Sequence, residues 1–179
     1  ADSLAFGSIV ASGPNTANPH AVPSDRVIEK GDFVLMDYGA GYCDYRSDMT
    51  RTVVMGEPTQ EQLDLYALVR RTHEECAAAV YPGVEGNDIY KLSKQIIGDA
   101  GYGDCYNHGL GHGVGIDIHE LPNFNRSKNI IEVGSVITIE PGVYLPGVGG
   151  VRLEDYGVVT ENGYEPFTKT PHDLHVIDC

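Results

Sequence analysis

The sequence predicts an α+β fold, because two amphipathic helical segments separate two groups of strand-like segments. The first helix is predicted over Thr59–Tyr81, since Thr59 and Gln62 have the spacing of a capping box ahead of a helical apolar pattern. The second is predicted over Asn87–Ala100, with Gly101 as its C-terminal stop. We expect these helices to cover a sheet that both groups of strands build.

An apolar stripe on the first helix is predicted to face the core, and it includes Leu63 and Val69. His73 lies on the same stripe, whereas His172 and His175 lie in the C-terminal tail. We interpret all three histidines as structural.

The N-terminal group of strands contains a predicted hairpin. The segment "AFGSIVASG" is typical of a short strand, and the proline-rich "PNTANPHAVPSD" after it is predicted to be a loop that carries His20. "DFVLMDYGA" and "DYRSDMTRTVVMG" then form two strands joined by a bend around Gly41. This register would place Asp37 directly opposite Asp48, with Cβ atoms about 5 Å apart. Two carboxylates so close are unfavourable without a cation between them, although they could also be exposed groups at the end of an edge hairpin.

Further ligand-type side chains occur in the C-terminal group of strands. Glu140 in "TIEPG" and Glu154 in "VRLED" each lie within or at the end of an apolar strand, where an unpaired charge is costly. The glycine-rich "HGLGHGVGIDIH" supplies His108, His112 and His119. One such carboxylate alone is more often part of an ion pair, but four carboxylates and an imidazole match the needs of two neighbouring divalent ions.

Composition restricts the class of protein. The 179 residues fit one domain, and 41% apolar residues suffice for a core. With 12 Lys and Arg against 26 Asp and Glu, the net charge of −14 disfavours nucleic acid and membrane surfaces as partners. The four cysteines are widely separated and form no C-x-x-C motif, which favours reduced thiols and a cytoplasmic location.

Five motifs in order, "HAVPSD", "MDYGAGYCDYRSDMTRT", "HGLGHGVGIDIHE", "TIEPGVY" and "GVRLED", resemble those of the pita-bread dinuclear metallopeptidases over nearly the whole chain. "GVRLED", with Arg152, and "NPHAVPSD" resemble the Xaa-Pro aminopeptidase and prolidase branch of this methionine aminopeptidase and creatinase superfamily. The resemblance implies the pita-bread fold, a curved antiparallel sheet covered by helices whose two pseudo-symmetric halves enclose the site.

The resemblance also implies a ligand set for two divalent metal ions. Asp37 would bind one ion through both oxygens, Asp48 and Glu154 would bridge the two ions, and His112 and Glu140 would complete the second site. Mn²⁺ is the expected metal, with Co²⁺ or Zn²⁺ as alternatives, since carboxylate-rich sites accept all three.

Four other side chains receive roles from the same resemblance. His119 and His20 would lie around the substrate carbonyl and the developing oxyanion, and His108 would help to bind substrate. Arg152 would pair with a carboxylate, either that of Asp48 or that of the substrate terminus. His20 and His108 could instead be structural histidines.

The expected function is hydrolysis of the Xaa-Pro bond of dipeptides or peptide N-termini by a water held between the metals, with Glu140 as proton shuttle. The substrate would be a proline-containing peptide. A methionine aminopeptidase-like activity and a non-catalytic binding module are the alternatives. We expect residues 1–179 to be the catalytic domain of a longer, homodimeric protein whose N-terminal domain and first helices precede Ala1.

Overall fold

The computed structural model describes residues 1–178, and Cys179 lies outside them. Two α-helices follow six strands in the chain and precede eight more: α1 Gln60–Ala78 and α2 Gly86–Asp99. Short 3₁₀ helices lie at Gly13–Ala17, within the loop predicted to carry His20, and at Gly103–Cys105. The strands are β1 Ser3–Leu4, β2 Ile9–Ser12, β3 Phe33–Tyr38, β4 Ala40–Tyr42, β5 Tyr45–Arg46, β6 Met49–Met55, β7 Gly111–Gly113, β8 Glu120–Phe124, β9 Val136–Ile139, β10 Gly142–Leu145, β11 Gly149–Arg152, β12 Asp155–Thr160, β13 Gly163–Pro166 and β14 His175–Ile177.

Both helices lie close to where the sequence predicts them. Thr59 caps α1 through the complete capping box with Gln62, and Gly101, with a φ of +88°, follows the end of α2. Val69 and His73 are buried as the predicted stripe of α1 requires, and the stripe differs from the prediction at its start, where Leu63 is 40% exposed while Leu65 is buried. Within residues 1–178, neither helix combines the length and hydropathy that crossing a membrane requires.

Two larger sheets carry the site. One has the strand order β14-β6-β3-β2 and the other the order β13-β12-β9-β7-β8. A bridge between Thr50 and Glu154 connects them, and the Glu154 amide donates to the Thr50 carbonyl at 3.1 Å. This bridge places the first residues of β6 beside the first residues of β12, where acidic side chains from both sheets meet.

The register of the N-terminal hairpin differs from the prediction. Asp37 on β3 lies opposite Thr50 on β6, and not opposite Asp48. Asp48 is two residues before Thr50 and therefore points to the same face, so the two aspartates are diagonal neighbours.

The cause of the different register is the position of the turn. The predicted bend around Gly41 is wrong, since the chain reverses at Cys43 and Asp44, both with positive φ, of 49° and 68°. Two successive residues with positive φ are typical of a type I′ hairpin turn. Gly39 and Gly41 serve close packing instead, because a Cβ atom at Gly39 would collide with the Ser47 carbonyl.

The helices and sheets share two apolar clusters. α1 contributes Val69 to the first and Cys76 to the second, while α2 contributes Ile97 to the first and Ile89 to the second. On β12, Val159 packs into the second cluster. Side chains alternate along a strand, so the residue just before β12 points away from these helices and toward the site.

Candidate metal centre

Every site residue that the sequence predicts lines one cavity of about 700 Å³. The five predicted ligands come together in its wall: Asp37, Asp48, His112, Glu140 and Glu154. The four other predicted side chains surround them: His20, His108, His119 and Arg152. Segments up to 134 residues apart in the chain, from His20 to Glu154, therefore converge as the motif pattern predicts.

Strands or the residues next to them position the five predicted ligands. Asp37 is on β3, Asp48 immediately precedes β6, and His112 is the middle residue of β7. Glu140 follows β9 directly, and Glu154 lies between β11 and β12. A glycine beside His112 is required for this approach, because a Cβ atom at position 111 would collide with the carbonyl of residue 138 on β9.

The His112 imidazole is oriented toward the carboxylates. Its Nδ1 lies 3.0 Å from the Gly113 carbonyl oxygen, which requires the proton on Nδ1 and leaves the Nε2 lone pair free. Nε2 is 3.7 Å from Asp48 Oδ2 and 3.5 Å from Glu140 Oε1. Burial lowers the pKa of His112 to about 4, so the ring is neutral at pH 7 and its Nε2 lone pair is available to a metal ion. Ligand atoms of Asp48, His112 and Glu154 all lie within 4.8 Å of one another.

The carboxylates repel one another in the absence of a cation. Burial, with the neighbouring charges of Asp37 and Glu140, raises the pKa of Asp48 to about 8. Burial raises the pKa of Glu140 to about 7 and that of Glu154 well above its usual range. Within residues 1–178, the Oδ1 atoms of Asp37 and Asp48 are buried without a hydrogen-bond partner. Buried polar atoms are rarely left unpaired, so this donor set fits divalent cations, which would occupy those lone pairs and neutralise the charge.

Arg152 supplies the positive charge that the chain itself brings to the centre. Its Nη2 donates to Asp37 Oδ2 at 2.6 Å, so its partner is Asp37 and the predicted pairing with Asp48 is wrong. The same guanidinium donates to Thr50 Oγ1 at 3.1 Å and to the Tyr144 hydroxyl at 3.0 Å. It also donates to the Pro19 carbonyl at 3.2 Å, which fixes the loop that carries His20.

The three other predicted site histidines lie on loops around the ligands. His119 meets the His112 ring edge to face at 4.3 Å between centroids, and both His119 and His20 are exposed. His108 is more constrained, since Nδ1 lies 2.6 Å from the Gly109 carbonyl and Nε2 lies 2.8 Å from the Tyr144 hydroxyl. His108 therefore has the backbone partner of a structural histidine while still lining the cavity.

Two supporting residues were not predicted from the sequence. Thr50 donates its hydroxyl proton to Glu154 Oε2 at 2.6 Å, and Tyr144 joins Arg152 to His108. Thr50 was detectable, because it is two residues after Asp48 and so shares its face. Tyr144 has only an indirect signal, Gly142 two residues earlier, whose missing side chain leaves room for the phenol ring.

The metal-free protein is expected to lose stability between pH 7 and pH 8.5. The folded-state pKa values of Asp48 and Glu154 are raised, so folding favours their protonated forms, and this stabilisation disappears as pH rises through the folded pKa. The buried histidines do not oppose this change, because their lowered folded pKa values, about 4, leave them neutral in both states above pH 7: His73, His108 and His112. Thermal unfolding in a chelator measures the effect, and an unchanged melting temperature across this pH range would contradict it.

Comparison with known proteins agrees with this geometry. Residues 1–161 match the model of metallopeptidase family M24. The chain is 45% identical to an Xaa-Pro dipeptidase of Pyrococcus furiosus over 175 residues, covering 97% of this chain and 50% of the relative. The crystal structure of the prolidase from Pyrococcus horikoshii superposes with a TM-score of 0.95 at 43% identity, over 97% of this chain and 50% of that one. The crystal structure of the X-Pro aminopeptidase from Thermotoga maritima superposes with a TM-score of 0.96 at 37% identity, over 99% of this chain and 51% of that one.

The chain spans about half the length of the curated relatives it matches. The family match covers both helices, strands β1 to β12 and all nine predicted site residues, and it ends before β13 and β14. The expected α+β class and pita-bread fold are therefore confirmed. On the family match and the backbone superposition together, this chain belongs to metallopeptidase family M24.

Proposed function

We propose that the protein is a dinuclear metal-dependent peptidase that hydrolyses Xaa-Pro bonds. The observation that carries this proposal is the convergence of Asp37, Asp48, His112, Glu140 and Glu154 on one cavity, with two aspartate oxygens left unpaired. These five side chains would hold the two cations, with the roles that the motif resemblance assigns to each. When bound, the cations would lower the pKa of a water molecule and polarise the scissile carbonyl.

The chain itself would supply proton transfer and orientation. Glu140, with a pKa of about 7 before metal binding, would accept a proton from the nucleophilic water and donate it to the leaving proline nitrogen. His119 and His20 are exposed to the cavity, where their N–H groups would donate to the substrate carbonyl and to the oxyanion. His108 would contact the substrate from its fixed position beside Tyr144, and Arg152 would orient Asp37.

The proposed preference for proline rests on apolar side chains in the cavity lining. Val22, Pro23 and Ile118 line the cavity beside the histidines and offer an apolar surface that suits a pyrrolidine ring. The names of the similar proteins support the same substrate class, because they include Xaa-Pro dipeptidases and an X-Pro aminopeptidase. Both substrate lengths, dipeptide and longer peptide, remain within the proposal.

The full protein with added Mn²⁺ is expected to cleave Ala-Pro and to leave Met-Ala intact. The reason is that the apolar side chains of the lining suit a pyrrolidine ring, while Glu140 would protonate the leaving proline nitrogen. Release of free proline measures the activity, and Ala-Pro-Ala tests whether longer peptides are accepted. Cleavage of Met-Ala alone would support the methionine aminopeptidase-like alternative. If the protein binds two metal equivalents and cleaves none of these peptides, the result would favour a binding module.

The identity of the metal and the location of the protein belong to the same proposal. We propose Mn²⁺, because four of the five ligands are carboxylates and this hard ion favours oxygen. The free thiols of Cys43, Cys76 and Cys105 support a cytoplasmic protein. Elemental analysis of freshly purified protein tests the metal, and sedimentation of the full protein tests the proposed homodimer.

A further inference from the structure

A second group of ligand-type side chains lies on the opposite side of β12 from the cavity. It consists of His73 on α1, Asp155 at the start of β12 and His172 in the tail before β14, and it is called the tail cluster below. Asp155 directly follows Glu154, and successive residues on a strand point to opposite faces. None of the three residues lines the cavity of the metal centre.

One carboxylate oxygen is the common neighbour of both rings. His172 Nε2 lies 2.6 Å from Asp155 Oδ2, and His73 Nε2 lies 3.6 Å from the same atom. The two imidazoles meet edge to face, with 4.7 Å between centroids. A tetrahedral Zn²⁺ site with bonds near 2.0–2.1 Å separates its ligand atoms by about 3.3 Å, so His73 is already spaced correctly and His172 needs to retreat by less than about 1 Å.

His73 is the residue that indicates a missing ligand. Its side chain is 2% exposed, and neither ring nitrogen has a hydrogen-bond partner within residues 1–178. A buried imidazole without a partner is rare, because desolvation of its nitrogens is left uncompensated. Burial also lowers the pKa of His73 to about 4, so at pH 7 it presents a neutral lone pair suited to a metal.

Outer partners hold the other two members in place. Arg51 Nη2 donates to Asp155 Oδ1 at 2.6 Å, which leaves Oδ2 for the histidines. Arg51 also donates to the carbonyl of Thr170 at 2.9 Å and so fixes the segment that carries His172. In the metal-free protein His172 Nε2 donates its proton to Asp155 Oδ2, and Zn²⁺ would take the place of that proton. Glu74 Oε1 lies 3.8 Å from His172 Nδ1 and would need to approach to hydrogen-bond distance to hold the proton on Nδ1. Partners of this kind orient the ligands of protein metal sites.

The local charge also permits a cation. Arg51 offsets Asp155, and Arg70 is shared between Glu74 and Asp173, so these charged groups around the cluster sum to −1. His172 is one-quarter exposed, which leaves an open side for entry and for a water ligand. Two imidazoles and one carboxylate suit Zn²⁺, whereas the carboxylate-rich centre in the cavity suits harder ions.

We propose that His73, Asp155 and His172 form a mononuclear Zn²⁺ site, separate from the dinuclear centre, with a water as fourth ligand. Such a site would join α1, β12 and the tail in one crosslink. The proposal does not rest on the proposed peptidase activity, because its residues face away from the cavity.

Equilibrium dialysis against a fixed free Zn²⁺ concentration, followed by elemental analysis, tests the site. His172→Gln is expected to bind one equivalent less than the wild type, while the matched control His175→Gln, an exposed histidine of the same tail, keeps the wild-type number. Equal zinc content in the wild type and His172→Gln would overturn the proposal. An equal loss in both variants would overturn it as well.

NMR of the imidazole nitrogens gives a second measurement that does not depend on the number of zinc equivalents bound. Adding Zn²⁺ to the wild-type protein is expected to shift the ring resonances of His73 and His172 and to leave that of His175 unchanged. His73→Gln serves as a second variant, since glutamine keeps most of the buried volume, and it is expected to abolish the shift at His172. Unshifted His73 and His172 resonances at saturating Zn²⁺ would exclude the site.

Discussion

Replacing Glu154 by glutamine is expected to reduce kcat/KM for Ala-Pro by far more than the roughly 10–100-fold that loss of a group behind a metal ligand costs. Glu154 is 2% exposed and its proposed role is to bridge both cations, so a neutral amide would weaken both sites together. The substitution keeps the side chain's size and an oxygen that can accept from Thr50 Oγ1. Elemental analysis should show fewer than two equivalents of Mn²⁺ in the variant.

Folding of this variant is not expected to suffer. Burial and the nearby carboxylates raise the pKa of Glu154 well above its usual range, which means that the ionised form is destabilised in the metal-free protein. A glutamine removes that repulsion, so the chelated variant should melt at or above the wild-type temperature. Glu161→Gln, at an exposed position in the β12–β13 turn, is the matched control for activity. Wild-type kcat/KM in Glu154→Gln would contradict the proposed bridging role.

Much of the fold could be predicted from the sequence because the signals that mark helix ends act between residues close in the chain. The Thr59 capping box and Gly101 mark helix ends within a few residues of where they occur, since both act through hydrogen bonds and dihedrals close in the chain. β14 shows the limit of such signals. It pairs in parallel with β6, about 120 residues earlier, and a three-residue edge strand leaves little pattern to detect.

The convergence of the candidate site residues was predictable from the sequence, but the pairing of Arg152 was not. Asp37 and Asp48 point to the same face in either register, so a two-residue error in the turn left the candidate site intact. The glycines that suggested the bend are explained by crowding at Gly39 and Gly41. The partner of Arg152 depends on how the two sheets approach each other, and this three-dimensional fact decides between Asp37 and Asp48.

The tail cluster could not be predicted from the sequence. The sequence places His73 on an apolar helix stripe and His172 in the C-terminal tail, about 100 residues apart, so it predicts a structural role for each. Only the packing of α1 against β12 and the return of the tail bring them to Asp155. Ligand sets built from single residues on distant elements have no spacing that a sequence pattern could detect.

Replacing Arg152 by methionine is expected to destabilise the metal-free protein by about 3–5 kcal/mol at pH 8, the usual cost of removing one partner from a buried ion pair. Arg152 is 3% exposed and donates to Asp37, Thr50, Tyr144 and Pro19. Methionine fills similar space but leaves Asp37 without its cation. Denaturant unfolding in a chelator measures the change.

Two conditions should reduce the loss of stability caused by Arg152→Met, because both reduce the uncompensated negative charge of Asp37. Burial already raises the pKa of Asp37 against the opposing effect of Arg152, so without Arg152 the carboxyl protonates more readily and the penalty falls toward pH 5. Saturating Mn²⁺ should reduce the difference between Arg152→Met and the wild type in the same way, because a bound dication replaces the lost positive charge beside Asp37. Arg152→Lys keeps the positive charge but lacks the planar set of donors, so its free energy of unfolding should lie between those of the wild type and Arg152→Met. A loss of stability that is equal at both pH values and with or without Mn²⁺ would mean that Arg152 acts through packing, not through its charge on Asp37.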